Sequence, residues 1–163
     1  NRLQRAGEVH IEIATRETLP LFLETLFRLH SDRWARAGLP GVLSDPTIQS
    51  FHKSVAPQLL ERGVLRLYGL RLNGRFIACF YTLFERDTAC CYLQGFDPDY
   101  AKFSPGKHLL GAVIADATRE GKQRIDFLRG RELYKQHWGA RELPTFRVQA
   151  RRRPQFHATP NAA

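Results

Sequence analysis

The dipeptide Asn73-Gly74 lies between two segments in which apolar and polar residues alternate, and it constrains the fold of this chain more than any other feature. Asn-Gly favours the two-residue type I′ turn that joins antiparallel strands. We therefore predict strands at Val64–Leu72 and Arg75–Glu85. A third strand, Ala89–Phe96, follows a turn at residues 86–88. The sequence thus predicts a three-stranded antiparallel meander in the middle of the chain.

Segments with the periodicity of helices and segments with the periodicity of strands flank the meander. Apolar residues that recur every three or four positions predict helices, and strict alternation predicts strands. On this basis the remaining elements are a strand at Val9–Ala14, a helix from Thr18 to Trp34, a helix from Asp45 to Gly63 with a kink at Pro57, a helix at Pro105–Glu120, a strand at Arg124–Leu128, a short helix at Arg131–His137 and a strand at Thr145–Gln149.

Length, charge and cysteine content limit the class of protein. The 163 residues carry a formal net charge of +9, which favours anionic partners. We predict a single domain over residues 1–150 and a basic, disordered tail over residues 151–163. Cys79, Cys90 and Cys91 lie in predicted strands without zinc-site spacing, so we expect no metal and a reducing, cytoplasmic location. No apolar run is long enough to span a membrane.

The segment that follows the third meander strand has the composition of an anion-binding helix start. Ser104 is suited to cap the helix, Pro105 to occupy its first position and Gly106 to let a ligand approach the backbone. Free N–H groups and the positive end of the helix dipole bind phosphate groups in such places. The alternative interpretation is an ordinary capped helix.

The order of elements and several residues together resemble the GNAT-fold acyltransferases. Pro98-Asp99-Tyr100, Gly106 and Leu109-Leu110 are similar to the core pattern of that family, without a gap. The resemblance covers most of the chain and implies an α/β (α+β) fold with a central mixed, largely antiparallel sheet flanked by helices. Two positions depart from the pattern: Ala101 replaces the family's Arg or Gln, and Ser104 replaces its first glycine.

The C-terminal part resembles one branch more closely. Leu133-Tyr134-Lys135 with Trp138 and Gly139 is similar to the FemAB-related, cellulose-biosynthesis-associated bacterial acetyltransferase-like family. Gly139 comes one residue later than usual. Proteins of that branch carry two GNAT-like halves, and this chain, which starts at Asn1 and contains no methionine, resembles the second half. The resemblance therefore implies a preceding GNAT-like half as a partner.

The resemblance implies acetyl-CoA or another acyl-CoA as the co-substrate. Its pantetheine arm would hydrogen-bond between the fourth strand and the Arg124–Leu128 strand, and its diphosphate would reach the helix start. The implied cofactor-binding residues are Gly95, Phe96, Ser104, Gly106, Lys107 and His108. For Lys107 and His108, the alternative is a solvated first turn.

Three residues are candidates for catalysis. Tyr134 is similar to the family's tyrosine that protonates the departing thiolate, although a tyrosine on a short helix commonly has a packing role. Asp126 is a candidate base or an anchor for the acceptor amine. A structural ion pair with Arg129 or Arg131 is the alternative, because a carboxylate between apolar strand residues needs compensation. Glu132 is a second candidate base, with a surface charge as the alternative.

Candidate acceptor-binding residues are Trp34, Asp97, Arg129 and Lys135. Trp34 and Arg33 end the first long helix, which with the loop Gly38–Gly41 lines the acceptor pocket in GNAT folds; a core position is the alternative for Trp34. Asp97 before a proline is also a common turn former. For Lys135 the alternative is a solvated position. His30 and His52 have no matched ligand pair, and we assign them no function.

The predicted function is transfer of an acyl group from a CoA thioester to an amine or hydroxyl of a small-molecule or saccharide-linked acceptor. Aminoacyl transfer from charged tRNA, as in the FemAB branch, is an alternative that the positive charge permits. A non-catalytic, degenerate GNAT half that supports a partner domain is another, because of Ala101 and Ser104.

Overall fold

The computed structural model of the protein describes residues 2–151. Its sheet contains five strands in chain order, antiparallel from the first to the fourth and parallel between the last two. The strands are β1 (Val9–Ile13), β2 (Leu65–Leu72), β3 (Arg75–Glu85), β4 (Thr88–Phe96) and β5 (Arg124–Asp126). The predicted mixed, largely antiparallel sheet is therefore confirmed.

Four α-helices occur among the described residues: α1 (Leu19–Arg36), α2 (Pro46–Glu61), α3 (Pro105–Arg119) and α4 (Leu133–His137). Short 3-10 helices at Val42–Ser44 and Pro98–Phe103 precede α2 and α3. The described residues up to Gly130 form one compact unit, and those from Arg131 onwards form a second that contains α4. Within residues 2–151, no helix is both long and apolar enough to cross a membrane.

Of the residues that the sequence placed at the starts of α1 and α2, only one forms a capping hydrogen bond. Asp45 caps α2, because its carboxylate accepts a hydrogen bond of 2.7 Å from the Thr47 N–H. Thr18 precedes α1 as predicted, but its hydroxyl accepts from the Thr15 N–H at 2.8 Å and makes no cap bond. Pro57 lies inside α2, which continues through it as one helix.

A row of small residues lets α1 pack closely on one face of the sheet. Gly69, Cys79 and Gly95 are register partners across β2, β3 and β4. A Cβ atom on Gly95 would lie 2.5 Å from the backbone nitrogen of His30, and one on Gly69 would lie 2.8 Å from the Phe22 ring. The absence of side chains at both glycines therefore sets the distance between α1 and the sheet.

Helix α3 covers the opposite face. The buried Tyr68, which alternates with Leu67 and Gly69 on β2, donates a hydrogen bond of 2.9 Å to the Asp116 carboxylate on α3. Burial, together with this bond, raises the pKa of Tyr68 above its ordinary value. The phenol therefore stays protonated, and its hydrogen bond to Asp116 holds α3 against β2.

The predicted strand at Thr145–Gln149 is wrong. This segment has no regular secondary structure, and Leu143, Phe146 and Val148 are 82%, 86% and 90% exposed. Alternation of apolar residues stabilises a strand only where a neighbouring strand pairs with it and a core covers one face. Of the predicted basic tail, only Arg151 belongs to the described residues.

Candidate functional site

Strands β4 and β5 form a fork. They pair only over three register positions, Thr88–Cys90 with Arg124–Asp126, while β4 continues to Phe96. The predicted strand Arg124–Leu128 ends early because the Asp126 carboxylate accepts a hydrogen bond of 2.7 Å from the Leu128 N–H, and Leu128 adopts a φ of +55°. This tight turn ends β5, so strand pairing stops at Cys90 and the fork opens there.

A bulge in β4 lies next to the opening of the fork. Leu93 pairs with Tyr81 and Cys91 pairs with Thr82, so Tyr92 is the extra residue. The Tyr92 ring is 5.7 Å from the rings of both Tyr81 and His52, and its side chain is 42% exposed. The bulge therefore presents an aromatic side chain at the point where the two strands separate.

His52 on α2 is buried behind Tyr92. It is 2% exposed, and its Nδ1 atom has no hydrogen-bond partner among residues 2–151. Burial lowers the pKa of His52, which keeps its imidazole neutral. Sequence reasoning gave this histidine no function, since nothing in its local pattern indicates a buried aromatic cluster.

The helix that follows β4 starts without a side-chain cap. Ser104 stands at the N-cap position, but its hydroxyl makes no capping bond, which corrects the predicted cap. Its φ of +53° places it in the left-handed region that glycine prefers, and its carbonyl accepts a 2.9 Å bond from the Lys107 N–H. No acidic side chain lies in the first turn of α3. The start of α3 is therefore electropositive and free of an internal anion.

Gly106 leaves room for the side chain of Gln94, a contact that the sequence did not indicate. A Cβ atom there would lie 2.1 Å from the amide nitrogen of Gln94, a residue of β4. The space beside Gly106 thus holds a carboxamide, which corrects the expectation of a bare backbone. Lys107 is exposed and His108 is half-buried, so the lysine extends into solvent at the helix start.

Two residues predicted to bind a cofactor have packing roles on β4. Gly95 is buried, and its missing side chain admits the backbone of α1, as described above. The half-buried Phe96 ring lies under the Arg33 guanidinium, 4.9 Å from ring centre to Cζ. Gly95 can therefore contact a ligand only through its backbone, and Arg33 already covers one face of the Phe96 ring.

Of the predicted acceptor residues, Asp97 is a buried turn former with both carboxylate oxygens engaged. One oxygen accepts from the Asp99 N–H at 3.0 Å, and the other from Arg75 at 2.8 Å. Trp34 is half-buried rather than in the core, and its ring packs on Gly41 so closely that a Cβ there would lie 2.7 Å away. This contact holds the loop between α1 and α2 against the end of α1.

Asp126 is exposed, so the predicted cost of a carboxylate between apolar residues does not arise. It is the last residue of β5 and the register partner of Cys90, which places it at the apex of the fork. Burial, with smaller contributions from Asp126 and Glu85, raises the pKa of Cys90. Arg129, also exposed, follows in the loop after β5.

The second unit contains three further candidates. Glu132 is the residue before α4, and its carboxylate lies 2.9 Å from the Lys135 ammonium. Lys135 is buried, not solvated, while Tyr134 is half-buried. Arg131, a predicted partner of Asp126, lies 3.2 Å from Glu142. Within residues 2–151, no three metal-ligating side chains form a cluster.

The structure adds residues that sequence reasoning did not assign to the site. Gln94 lies against the α3 start, and Tyr92 marks the fork. A bulge and a side chain lying over a glycine depend on pairing between distant segments. The alternation along β4 would not have revealed either of them.

Comparisons with known proteins agree with this geometry. The sequence profile described as acetyltransferase (GNAT) domain matches residues 1–136. No curated protein sequence matches the chain.

Solved structures share the fold. A predicted acetyltransferase from Clostridium acetobutylicum, crystallised with acetyl-CoA, has a TM-score of 0.69 at 11% identity, over 88% of this chain and 96% of that one. A possible acetyltransferase from Clostridium difficile 630 has a TM-score of 0.64 at 10% identity, over 90% and 99%. An aminoglycoside acetyltransferase from an uncultured soil metagenomic sample, in complex with sisomicin, has a TM-score of 0.62 at 16% identity, over 88% and 97%.

These identities establish a common fold, and the profile match over most of the chain establishes kinship. The forked sheet, the uncapped α3 start and the profile match lead to one conclusion: this chain belongs to the acetyltransferase (GNAT) domain family.

Proposed function

We propose that the protein transfers an acetyl group from acetyl-CoA to an amine or hydroxyl of a small-molecule or saccharide-linked acceptor. The observation that carries the proposal is the fork, because β4 extends past the last β5 pair and offers its outer side to an extended chain such as pantetheine. Family membership and a structural neighbour solved with acetyl-CoA support it.

The start of α3 suits the CoA diphosphate. It lacks a side-chain cap and a first-turn acid, so the Gly106 N–H and the helix dipole face an incoming anion. The Ser104 N–H already donates to the Ala101 carbonyl at 2.9 Å, so Ser104 would contact the diphosphate through its hydroxyl. Lys107 adds a charge, and His108 and the Gln94 carboxamide are further polar groups at this place. The Gln94 amide would donate to the ligand or rotate away as it docks.

Acyl transfer needs positioning more than covalent participation by the protein. The acceptor lone pair attacks the thioester carbonyl, the C–S bond breaks, and the thiolate leaves with the electron pair and takes up a proton. We assign Asp126, at the apex of the fork, as the base that takes the acceptor proton, with Glu132 as the second candidate. Tyr134 is assigned as the donor to the thiolate by its resemblance to the family's tyrosine.

The acceptor side of the proposal includes Trp34 and the loop that it holds, with Asp97, Arg129 and Lys135 as further contacts. Asp97 would act through the turn that it stabilises, since both its oxygens are engaged. The neighbour with sisomicin shows that this fold accommodates aminoglycoside acceptors in another protein.

Finer assignments are parts of the same proposal. Membership in the FemAB-related, cellulose-associated branch, a preceding GNAT-like half and a cytoplasmic location follow from the resemblance of Leu133-Tyr134-Lys135 and from the cysteine usage. Aminoacyl transfer from tRNA is the alternative function. It predicts saturable binding of charged tRNA that other polyanions do not compete away.

Isothermal titration of acetyl-CoA into the protein tests the donor site. We expect saturable binding that weakens about tenfold in Lys107→Glu, because a charge reversal removes one charge-assisted contact and adds repulsion. Lys53→Glu is the matched control, since it makes the same reversal at an exposed position on α2. Absence of heat at millimolar acetyl-CoA would contradict the proposal and favour a non-catalytic domain.

A further inference from the structure

An arginine at the end of α1 is held by two aromatic rings. The guanidinium carbon of Arg33 lies 4.9 Å from the centre of the Phe96 ring and 5.7 Å from that of the Trp34 ring. Aromatic faces attract a guanidinium without neutralising its charge. The two rings therefore hold Arg33 in place while its charge stays available to a ligand.

The cations around Arg33 are paired with acids, and Arg33 differs from them. Arg36 bonds Asp99 at 2.9 Å, and Arg75 bonds Asp97 at 2.8 Å. Asp32, the acid next to Arg33 in sequence, faces Arg28 at 3.6 Å. Arg33 itself forms no salt bridge with any residue from 2 to 151.

The buried residue one turn before Arg33 on α1 is a histidine and not an acid. His30 is 4% exposed, and its ring is 5.9 Å from the Trp34 ring. Its Nδ1 atom has no hydrogen-bond partner in the described part of the chain. Burial, and secondarily the Arg33 charge, lowers the pKa of His30 to about 4. Arg33 is therefore flanked by two aromatic rings, and the imidazole one turn before it on α1 is neutral.

Arg33 contacts the part of β4 that extends past its last pair with β5. Phe96 ends β4 beyond the last pair with β5, and Trp34 packs on Gly41 in the loop between α1 and α2. Arg33 thus lies beside the end of β4 that pairs with β3 but not with β5, and next to the residue that holds that loop. We propose that Arg33 determines acceptor specificity by binding an anionic group, a carboxylate or a phosphate, of the acyl acceptor; this inference rests on the proposed function.

The chemistry of the guanidinium supports an oxyanion ligand. Its planar fork matches carboxylate and phosphate groups with two parallel N–H donors. Hydrogen bonds to charged groups contribute about 1.5–3 kcal/mol, which corresponds to roughly 10–100-fold in affinity. An acceptor that carries such a group should therefore be preferred over its neutral analogue by at least about tenfold in kcat/KM.

The test uses pairs of acceptors that differ by one anionic group, with acetyl-CoA as donor and release of the CoA thiol as readout. Ornithine against putrescine tests a carboxylate, and glucosamine 6-phosphate against glucosamine tests a phosphate. We expect the anionic member of one pair to be preferred by the wild-type protein. Arg33→Gln should remove that preference, lowering kcat/KM for the anionic member by at least about tenfold relative to that for the neutral member.

Arg36→Gln is the matched control, because it removes the same charge three positions along α1 from a residue already paired with Asp99. It should preserve the preference. A protein that binds acetyl-CoA but acetylates neither anionic acceptor, or that prefers a neutral acceptor or cationic sisomicin, overturns the inference.

Titration with CoA separates this inference from the proposed function. Unchanged CoA affinity in Arg33→Gln is expected, whereas weakened affinity would assign Arg33 to the donor and overturn the acceptor role. A wild-type protein that does not bind acetyl-CoA would instead contradict the proposed function.

Discussion

The two sides of β4 differ in how completely neighbouring strands and helices cover them. Towards β3, β4 pairs from Thr88 to Phe96 with one bulge at Tyr92, and α1 packs directly on Gly95. Towards β5, pairing ends at Cys90, and the strand continues past its partner. One strand therefore takes part in a closed core on one side and an open fork on the other.

The difference separates the stability of the domain from its function. Close backbone packing leaves no room for change on the α1 side, because interiors are packed as densely as crystals. At the start of α3, the neighbour of Gly106 is the flexible end of Gln94, and Ser104 keeps a left-handed conformation. Substitutions on the first side should affect folding, and those on the second should affect ligand binding.

The largest expected effect comes from adding one methyl group on the closed side. Gly95→Ala places Cβ 2.5 Å from the His30 backbone nitrogen, which cannot move without shifting α1. We expect a loss of about 3 kcal/mol in the free energy of unfolding, measured by urea denaturation.

Gly106→Ala is the matched change on the open side. Its Cβ meets only the end of the Gln94 side chain, and alanine favours the helix, so stability should change by less than about 1 kcal/mol. Its acetyl-CoA affinity should fall, because the methyl group displaces Gln94 at the helix start. Equal destabilisation by both substitutions would contradict the distinction between the two sides.

A second effect is the pH dependence of the closed side. The pKa of His30 is lowered to about 4 by burial, with a contribution from Arg33, while an unfolded histidine titrates near 6.5. As pH falls from 7 to 5, the unfolded chain takes up a proton that the folded protein does not, so stability decreases by about 2 kcal/mol. His52, whose pKa burial also lowers, acts in the same direction.

Urea denaturation at pH 7 and pH 5 measures this effect. The variant His30→Leu places an apolar side chain in the buried position and removes the titrating group. Its loss of stability between the two pH values should therefore be smaller than that of the wild type. If wild type and His30→Leu lose the same stability, His30 is not the group responsible.

The smallest effect concerns the open side. Ser104 has a φ of +53°, and glycine adopts this conformation without the steric cost that a Cβ brings. We expect Ser104→Gly to raise the free energy of unfolding by about 0.5 kcal/mol, seen as a small increase in Tm. Ser104→Ala keeps the Cβ and should give no gain, since the hydroxyl makes no cap bond.

Local patterns predicted most of the elements well. The hairpin at Asn73-Gly74 and the strand Arg75–Glu85 match the structure, because turn chemistry and alternation act over a few residues. The strand at Thr145–Gln149 was wrong, since alternation without a pairing partner does not form a sheet. The end of β5 at Asp126 was missed because a side-chain bond to the Leu128 N–H ended it.

The candidate site was predicted less completely than the fold. The sequence indicated the α3 start and the tyrosine of α4, which depend on local motifs. It did not indicate that Gln94 lies over Gly106, or that Phe96 and Trp34 hold Arg33. Those contacts join residues far apart in the chain, and no periodicity describes them.

By itself, the sequence determined the order of strands and helices in the sheet, the segment that connects β4 to α3 and the resemblance to the family. Each of these depends on residues that are neighbours in the chain. Only the tertiary structure decided that α1 packs on Gly95, that pairing between β4 and β5 ends at Cys90 and that Arg33 forms no salt bridge within residues 2–151. These features depend on which distant groups exclude water and each other, and that is settled only when the chain packs.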